Sequence, residues 1–495
     1  MHRIIVVGGG AGGLELATRL GDRFGSRRAL QRVSVVLVDR YPTHIWKPLL
    51  HEVAAGSMDP FTHQIEYAAQ ARWHGFEFQQ GELLGLSRVA KTIRVSAVRD
   101  EEGIELLPER TLAYDTLVIA IGSTTHFFGV TGAAQHAIAL DTVAQAERFR
   151  RRLIAACMRA QRPQSSTDVA ADGAPGSAAP HPQARKQEPL PGGAASSAHG
   201  DATDPAHGGM AGLIYGGTAG LAHSSTVGPR IQIAIVGGGA TGVELSAELR
   251  NTAHVLAAYG LHKLDPVTDI GIVLIEAGPR ILPALPERVS AATAALLRRL
   301  NVSVITGEAV SEVRVGEVVT GSGNVLRADL TVWAAGIKAP PVLALLDGLA
   351  VNKLGQLVVR STLQTTSDDD IFALGDCAAC PWPEAKRTVP PRAQAAHQQA
   401  NFLLNALRAR LDGRALPTYT YRDLGSLVSL GHNAIGNLMG GLIGKSLFVE
   451  GLFARFMYQS LYRMHIAALH GYGRMLLDML AHGLRRTTRP RVKLH

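Results

Sequence analysis

Ile4-Ile5-Val6-Val7-Gly8-Gly9-Gly10-Ala11-Gly12-Gly13 runs an apolar strand directly into a glycine-rich turn, and Ile233-Ala234-Ile235-Val236-Gly237-Gly238-Gly239-Ala240-Thr241-Gly242 repeats the arrangement more than two hundred residues later. In a strand–turn–helix unit of this kind the first glycine permits a tight turn, the second lets the backbone approach a pyrophosphate, and the third lets the helix pack closely on the strand. Those positions are Gly8, Gly10 and Gly13 in the first copy and Gly237, Gly239 and Gly242 in the second. The pyrophosphate then meets the free N–H groups and the positive end of the following helix. Two copies imply two nucleotide sites in one polypeptide, with electrons moving between them. The plainer alternative is a pair of tight glycine turns in an ordinary α/β sheet.

Each copy is followed by a second apolar strand that ends in a carboxylate. Val33-Ser34-Val35-Val36-Leu37-Val38 ends at Asp39, and Gly271-Ile272-Val273-Leu274-Ile275 ends at Glu276. A carboxylate there accepts hydrogen bonds from an unphosphorylated adenosine ribose and repels a 2′-phosphate, so Glu276 argues for NADH over NADPH.

At 495 residues the chain is too long for one core, and two or three domains are expected. Apolar residues make up 46% and charged residues 18%, which suits a globular protein with some unusually apolar surface. A core strand starting at Ile4 predicts no cleavable signal peptide, and no run reaches the ~18–20 apolar residues that would span a bilayer. Three cysteines argue against a disulfide framework and for a reducing compartment. The formal charge of +9 is placed tellingly: Arg485, Arg486, Arg489, Arg491 and Lys493 follow the apolar run Met475-Leu476-Leu477-Asp478-Met479-Leu480. That juxtaposition favours an anionic lipid surface over a nucleic acid, for which no zinc-finger, RNA-binding or helix-turn-helix signature is present.

The predicted fold class is α/β, with two nested dinucleotide-binding domains and a C-terminal amphipathic helical region. Residues 1–162 form the first part of the first domain. Residues 163–228 read as a disordered insertion rich in Ala, Gly, Ser, Pro and His, because such a stretch buries too little surface to offset its ordering. Its histidines, His181, His199, His207 and His223, lack metal-ligand spacing. Residues 229–345 form the second domain, 346–417 return to the first through Ile371-Phe372-Ala373-Leu374-Gly375-Asp376, and 418–495 form the C-terminal region. After Gly451, Arg455, Gln459 and Arg463 recur every four residues, with Phe453, Phe456, Met457, Leu461 and Met464 on another face. Together with the apolar, glycine-rich Ile435–Gly444 stretch, this predicts membrane contact without spanning. Lys and Arg near an anionic leaflet contribute about 1 kcal/mol each, and each well-buried large apolar side chain roughly 1.5–3 kcal/mol.

Both fingerprints, the strand at Tyr114–Ser123, Ala334-Ala335-Gly336 and Gly375-Asp376 resemble the two-dinucleotide-domain flavoproteins. Within them the chain resembles the respiratory type II NADH dehydrogenases (NADH:quinone oxidoreductases) of gram-negative bacteria. The matching segments are Trp46-Lys47-Pro48-Leu49-Leu50-His51-Glu52-Val53, Gly375-Asp376-Cys377-Ala378-Ala379-Cys380-Pro381, Pro390-Pro391-Arg392-Ala393-Gln394-Ala395-Ala396-His397-Gln398, Leu461-Tyr462-Arg463-Met464-His465 and the terminal Arg489-Pro490-Arg491-Val492-Lys493-Leu494-His495. The resemblance covers nearly the whole chain outside 163–228.

It implies FAD at the first fingerprint and NADH at the second. FAD would meet Gly8, Gly10, Gly13, Asp39 and Gly122, with Lys47 and Pro48 lining the flavin pocket. NADH would meet Gly237, Gly239, Gly242 and Glu276, with Gly336 at the cofactor. Asp376 would open a helix and bond the ribityl chain; its alternative is an ordinary N-cap. Hydride would pass from NADH to the flavin N5, and two electrons onward to a membrane quinone. Glu244 would point toward the nicotinamide and flavin, or else be a first-turn carboxylate favoured by the helix dipole. Gln394 and Gln398, on one face of the helix after Pro391, would bond a quinone carbonyl, with His397 beside them as proton donor; otherwise they form a polar stripe covering the domain. Implied also are a peripheral position on the cytoplasmic face of the bacterial inner membrane, no proton pumping, and an assembly that leaves a homodimer open.

Cys377 and Cys380 form a Cys-x-x-Cys pair, yet zinc would need two further ligands and Cys157 is the only other cysteine, so no metal is expected. Two other functions share the sequence features. A sulfide:quinone oxidoreductase would need cysteines flanking the flavin, and a non-catalytic NADH-sensing flavoprotein would use its C-terminal helices for a partner protein. Replacing Glu276 by Arg is expected to relax the preference against NADPH; unchanged NADH/NADPH selectivity in steady-state kinetics would refute the ribose role.

Overall fold

Runs of branched apolar residues with no alternation mark strands covered on both faces, and Ile4–Val7, Val35–Val38 and Leu117–Ile119 are buried in that way. They belong to a five-stranded, all-parallel sheet whose order is Ile371–Ala373, Thr116–Ile119, His2–Val7, Val33–Asp39 and Glu77–Gln80. A second parallel sheet copies the plan with Ile138–Ala139, Leu330–Trp333, Ile231–Val236, Ile270–Glu276 and Val302–Thr306. In each sheet the fingerprint strand is central, so its glycine turn sits at the carboxyl edge, where open α/β sheets bind ligands. The computed structural model describes residues 1–25, 33–161, 228–258, 264–431, 433–439 and 446–485. The expected disordered insertion, Gly228 apart, and the basic tail beyond Arg485 lie outside the described residues.

The chain changes sheets earlier than residue 162. Ile138–Ala139 pairs with Leu330–Trp333 of the second sheet. The helix Val143–Ala160 buries Ala146, Phe149, Leu153 and Cys157 in the core shared with Ile231, Ile233 and Ile235. A capping box between Thr142 and Gln145 starts this helix. The composition boundary at Pro163 coincides with the end of the compact unit at Arg162, but composition registers where a core ends and not which core a helix joins. Thr124–Thr125 and Ile337–Lys338 pair antiparallel at the outgoing and returning crossings. Ile371–Ala373 then completes the first sheet beside Thr116–Ile119, and the helix Ala393–Leu411 packs on the fingerprint helix Ala11–Phe24.

The C-terminal region begins as an antiparallel sheet of Gly425–Leu430, Asn433–Met439 and Ser446–Glu450. Ile435 and Asn437, part of the stretch expected to contact lipid, are buried in it, while residues 440–445 lie outside the described residues. Next comes the helical segment Gly451–Arg485, broken at Gly471, whose φ of 79° and ψ of 162° are not helical. Its amphipathicity is inverted relative to a core helix. Phe453, Phe456, Leu461 and Met464 are 62%, 60%, 45% and 56% exposed, while Ala454, His465, Ile466 and Leu469 are buried. Beyond Gly471, Tyr472, Leu476, Leu477 and Leu480 are exposed as well. No helix among the described residues is long and apolar enough to cross a membrane.

Candidate active site

The two glycine turns have matching anatomy. Gly8 and Gly237 adopt φ of +103° and +112°, a backbone region that favours glycine. A side chain at Gly13 would run into the carbonyl of Gly8, and one at Gly242 into that of Gly237, so each helix starts directly over its strand. Gly10 and Gly239, by contrast, have nothing within 4 Å of where a Cβ would stand. The helix Ala11–Phe24 has no side-chain cap at Gly10 and no acidic residue in its first turn, so its leading N–H groups face an open cradle. This geometry fits a dinucleotide diphosphate at each turn.

The two strand-end carboxylates also act alike. Asp39 Oδ2 accepts from Gly9 N–H at 2.6 Å and Oδ1 from Tyr41 N–H at 2.9 Å. Glu276 Oε2 accepts from Gly238 N–H at 2.6 Å and Oε1 from Gly278 N–H at 2.7 Å. Each holds the residue between the first and second glycines of its fingerprint, Gly9 or Gly238, and stands beside the turn. Burial raises the Asp39 pKa, opposed by the Tyr41 and Gly9 N–H groups.

Lys47, Gly122 and Asp376 come together at the carboxyl edge of the first sheet, joined by Ser123. The Ser123 hydroxyl donates to Asp376 Oδ2 at 2.7 Å, and Lys47 Nζ donates to the Ser123 carbonyl at 3.1 Å. Burial pushes the Asp376 carboxyl up, against the Ser123 hydrogen bond and the Lys47 charge. Gly122 faces open space. Asp376 does not open a helix: Gly375–Cys377 is a single 3₁₀ turn followed by the short strand Ala378–Ala379. No helix dipole is aimed from there, and the N-cap alternative also falls. Instead Gln399 Oε1 accepts from Gly375 N–H at 2.7 Å and Gln356 Nε2 donates to the Asp376 carbonyl at 2.8 Å, fixing the turn. Pro48 sits in the 3₁₀ turn Lys47–Leu49, its carbonyl accepting from His51 Nδ1 at 2.8 Å. At Gly336 the Phe128 ring fills the space a side chain would take.

Glu244 is not presented to an open cleft. The helix Ala240–Ala258 is covered around its first turns, with Gly242 through Ser246 all buried, and Glu244 faces the C-terminal sheet. Its Oε1 accepts from Ser429 N–H at 3.0 Å. The Tyr458 hydroxyl of the C-terminal helix lies against the same carboxyl, short of a well-formed hydrogen bond. Burial pushes the Glu244 carboxyl up to about 8, opposed by the Ser429 N–H and Tyr458. His51 Nδ1 is 3.6 Å from Glu244 Oε2, but burial pulls His51 down. At pH 7 both are neutral, and the approach is not an ion pair.

Gln394, Gln398 and His397 share the helix Ala393–Leu411 as expected, and each is hydrogen-bonded within the protein. Gln394 Nε2 donates to the Gly425 carbonyl at 3.0 Å and its Oε1 accepts from Leu424 N–H at 3.2 Å. Gln398 Nε2 donates to the Arg422 carbonyl at 2.8 Å and its Oε1 accepts from Arg422 N–H at 3.0 Å. The two amides therefore clamp Arg422–Gly425, which Arg392 also holds through Asp423 at 3.3 Å. His397 Nδ1 donates to Glu15 Oε2 at 2.6 Å, and Asn401 Nδ2 reaches its Nε2 at 3.2 Å. Both ring nitrogens are occupied, so the ring braces the helix Ala11–Phe24 and offers no free proton donor. Ser123 adjoins a motif glycine and was discoverable from sequence; Gln399, Ser429 and Tyr458 carry no local signal, because only folding brings them near their partners.

Two nucleotide cradles at the central strands of two nested parallel sheets define the class: a two-dinucleotide-domain oxidoreductase. A family model described as pyridine nucleotide-disulphide oxidoreductase matches residues 2–162 and 195–400. A type II NADH:quinone oxidoreductase of Haemophilus influenzae is 39% identical over 496 residues, covering 100% of both chains. One from Mycobacterium tuberculosis is 23% identical, over 95% of this chain and 86% of its own. Among solved structures, NDH2 from Plasmodium falciparum in complex with NADH shares the fold with a TM-score of 0.71 at 17% identity, covering 99% of this chain and 100% of its own. Sulfide:quinone oxidoreductase from Aquifex aeolicus does so with a TM-score of 0.66 at 16%, covering 95% and 92%. The chain belongs to the pyridine nucleotide-disulphide oxidoreductase family, and within it to the type II NADH:quinone oxidoreductases.

The buried Glu244 has a pH signature. Its folded pKa of about 8 lies above the ordinary value of 4.5, so the folded state holds the proton more tightly. Its contribution to stability is complete below about 4.5 and is lost as pH rises to about 8, at up to about 1.4 kcal/mol per pH unit. The melting temperature of the wild type should therefore fall relative to Glu244→Gln between pH 5 and pH 8. Parallel melting curves across that range would show the carboxyl to be ionised throughout.

Proposed function

We propose that the protein is an FAD-dependent, non-proton-pumping NADH:quinone oxidoreductase working peripherally on the cytoplasmic face of a bacterial inner membrane. The observation that carries the reading is the duplicated cradle, each copy open at its second glycine and closed at its third, in a chain that matches a type II NADH:quinone oxidoreductase end to end. Bound at the first cradle, FAD supplies hydride-accepting and electron-donating chemistry.

The chain's residues supply position and charge. The turn Gly8–Gly10 and the helix Ala11–Phe24 hold the diphosphate, and Asp39 stands ready for the ribose. Asp376, with Ser123 and Lys47, holds the flavin end. The turn Gly237–Gly239 takes NADH, whose unphosphorylated ribose suits Glu276. Glu244 keeps a proton inside the protein at neutral pH, on the helix that begins at the NADH cradle. Gln394 and Gln398 shape the quinone side by holding Arg422–Gly425, and His397 with Glu15 fixes their helix against the flavin domain. Burial pushes the Cys377 and Cys380 thiols up to about 12, which leaves no ready thiolate for the sulfur relay of a sulfide:quinone oxidoreductase.

Membrane attachment rests on the outward-facing Phe453, Phe456, Leu461 and Met464 and the adjoining basic residues. An apolar helix face turned to solvent across a soluble domain signals an interaction surface. The absence of a spanning helix among the described residues supports electron transfer without a proton path.

Two measurements test this. In anaerobic stopped flow, NADH should bleach the flavin absorbance and a quinone added second should restore it; bleaching without restoration points to a sensor instead of an enzyme. Changing Phe453, Phe456 and Leu461 together to Glu should shift the protein from the pellet to the supernatant of anionic vesicles while preserving NADH oxidation with a water-soluble acceptor. Undiminished pelleting would remove this face from the membrane contact.

A further inference from the structure

The Leu461–His465 stretch is left without a chemical role by the reaction, yet its last residue reaches the first nucleotide cradle. His465 lies on the buried side of the C-terminal helix, stacked on Trp46 with ring centroids 4.1 Å apart at 34°. Its Nε2 is 3.0 Å from Nε2 of the buried His44. His44 Nδ1 in turn is 2.9 Å from the carbonyl oxygen of Gly9, which lies between the first and second glycines of the first fingerprint. That carbonyl also accepts from the Tyr67 hydroxyl at 2.8 Å. One turn further along the helix, Gln70 Nε2 donates to the Leu469 carbonyl at 3.0 Å, and Leu469 belongs to the core of the first sheet.

The chemistry assigns every proton in this chain. A carbonyl oxygen only accepts, so His44 must carry its hydrogen on Nδ1. Burial pulls the His44 pKa down to about 4 and His465 well below its ordinary value, so both rings are neutral. His44 Nε2 is then a bare lone pair, and His465 must donate from Nε2. Two donors draw the Gly9 carbonyl inward. Across the planar trans peptide, the N–H of Gly10 points the opposite way, away from the histidines, and Gly10 is the glycine with open space in front of it.

We propose that His465 is a positioning residue for the FAD diphosphate, acting through His44 and the Gly9 carbonyl, so that flavin retention depends on the C-terminal helix remaining docked. The membrane-facing helix is then part of the flavin site. Deleting everything after Gly451 would remove His465 and Leu469 with the membrane face, and would loosen the cofactor as well as the attachment. The inference rests on the first fingerprint being the FAD site.

The test uses purified holoenzyme and follows FAD release on dilution by the return of free-flavin fluorescence, with ADP-ribose binding at the second cradle as the control for fold. His465→Leu should release FAD roughly tenfold faster, the effect of one lost buried hydrogen bond, with ADP-ribose affinity unchanged. His465→Gln, which keeps an N–H donor, should regain most of the retention. Wild-type release rates in His465→Leu, or equal loosening in both variants with ADP-ribose binding intact, would overturn the proposal. If His465→Leu loses both ligands, the ¹⁵N resonances of the wild-type rings decide: Nδ1–H on His44 with Nε2–H on His465 supports the chain, and any other tautomer pair refutes it. Wild-type protein that purifies without FAD and takes none up would instead refute the assignment of the first fingerprint.

Discussion

The close approach of a helix to the end of its own strand is the constraint on which the rest of this molecule depends. At Gly13 and Gly242 no side chain fits between the helix and the carbonyl of the first fingerprint glycine. That contact brings the leading N–H groups of each helix over the carboxyl edge of its sheet, where partial positive charge meets a diphosphate. Everything else serves to hold these two edges: the acidic strand ends fix the turns, the 3₁₀ turn at Asp376 holds that carboxyl against Ser123, and the long helix after Pro391 braces the first fingerprint helix through His397 and Glu15.

The C-terminal region joins these parts. Its sheet buries Glu244 through Ser429, and its helix reaches Glu244 through Tyr458 and the Gly9 loop through His465 and His44. One face of the helix therefore touches the surroundings of both nucleotide sites, while the opposite face offers Phe453, Phe456, Leu461 and Met464 to the outside. An amphipathic helix in a soluble domain normally turns its apolar stripe inward. Here the stripe is outside, and the inner face is built from histidine, tyrosine and small or aliphatic residues, with His465 and the Leu469 carbonyl hydrogen-bonded to the core. The proposed membrane contact therefore uses a face other than the one that grips the nucleotide domains.

Much of the candidate site was legible beforehand, because the fingerprints, the strand-end acids and Gly375-Asp376 are local patterns whose chemistry does not depend on distant residues. The surroundings of other residues were not legible in the same way. Glu244, Gln394, Gln398 and His397 were given ligand-facing roles from their place in a motif, but a motif fixes a side chain's position along a helix and not what packs over it. Strand Gly425–Leu430 covers Glu244, segment Arg422–Gly425 occupies both glutamines, and Glu15 takes the histidine. That the segment from Ile138 to Ala160 joins the second sheet was hidden for a related reason: Ile138–Ala139 is too short a strand to announce which sheet it joins.

By itself the sequence determined the two parallel sheets, their nucleotide turns, the acidic strand ends and the amphipathic character of the C-terminal helix, since each follows from the covalent geometry and spacing of neighbouring residues. Only the tertiary structure decided which face of that helix is buried, that Glu244 and His51 sit neutral beside each other, and that His465, His44 and Gly9 form one hydrogen-bonded line. Those outcomes depend on desolvation and on partners hundreds of residues away, and no local pattern carries that information.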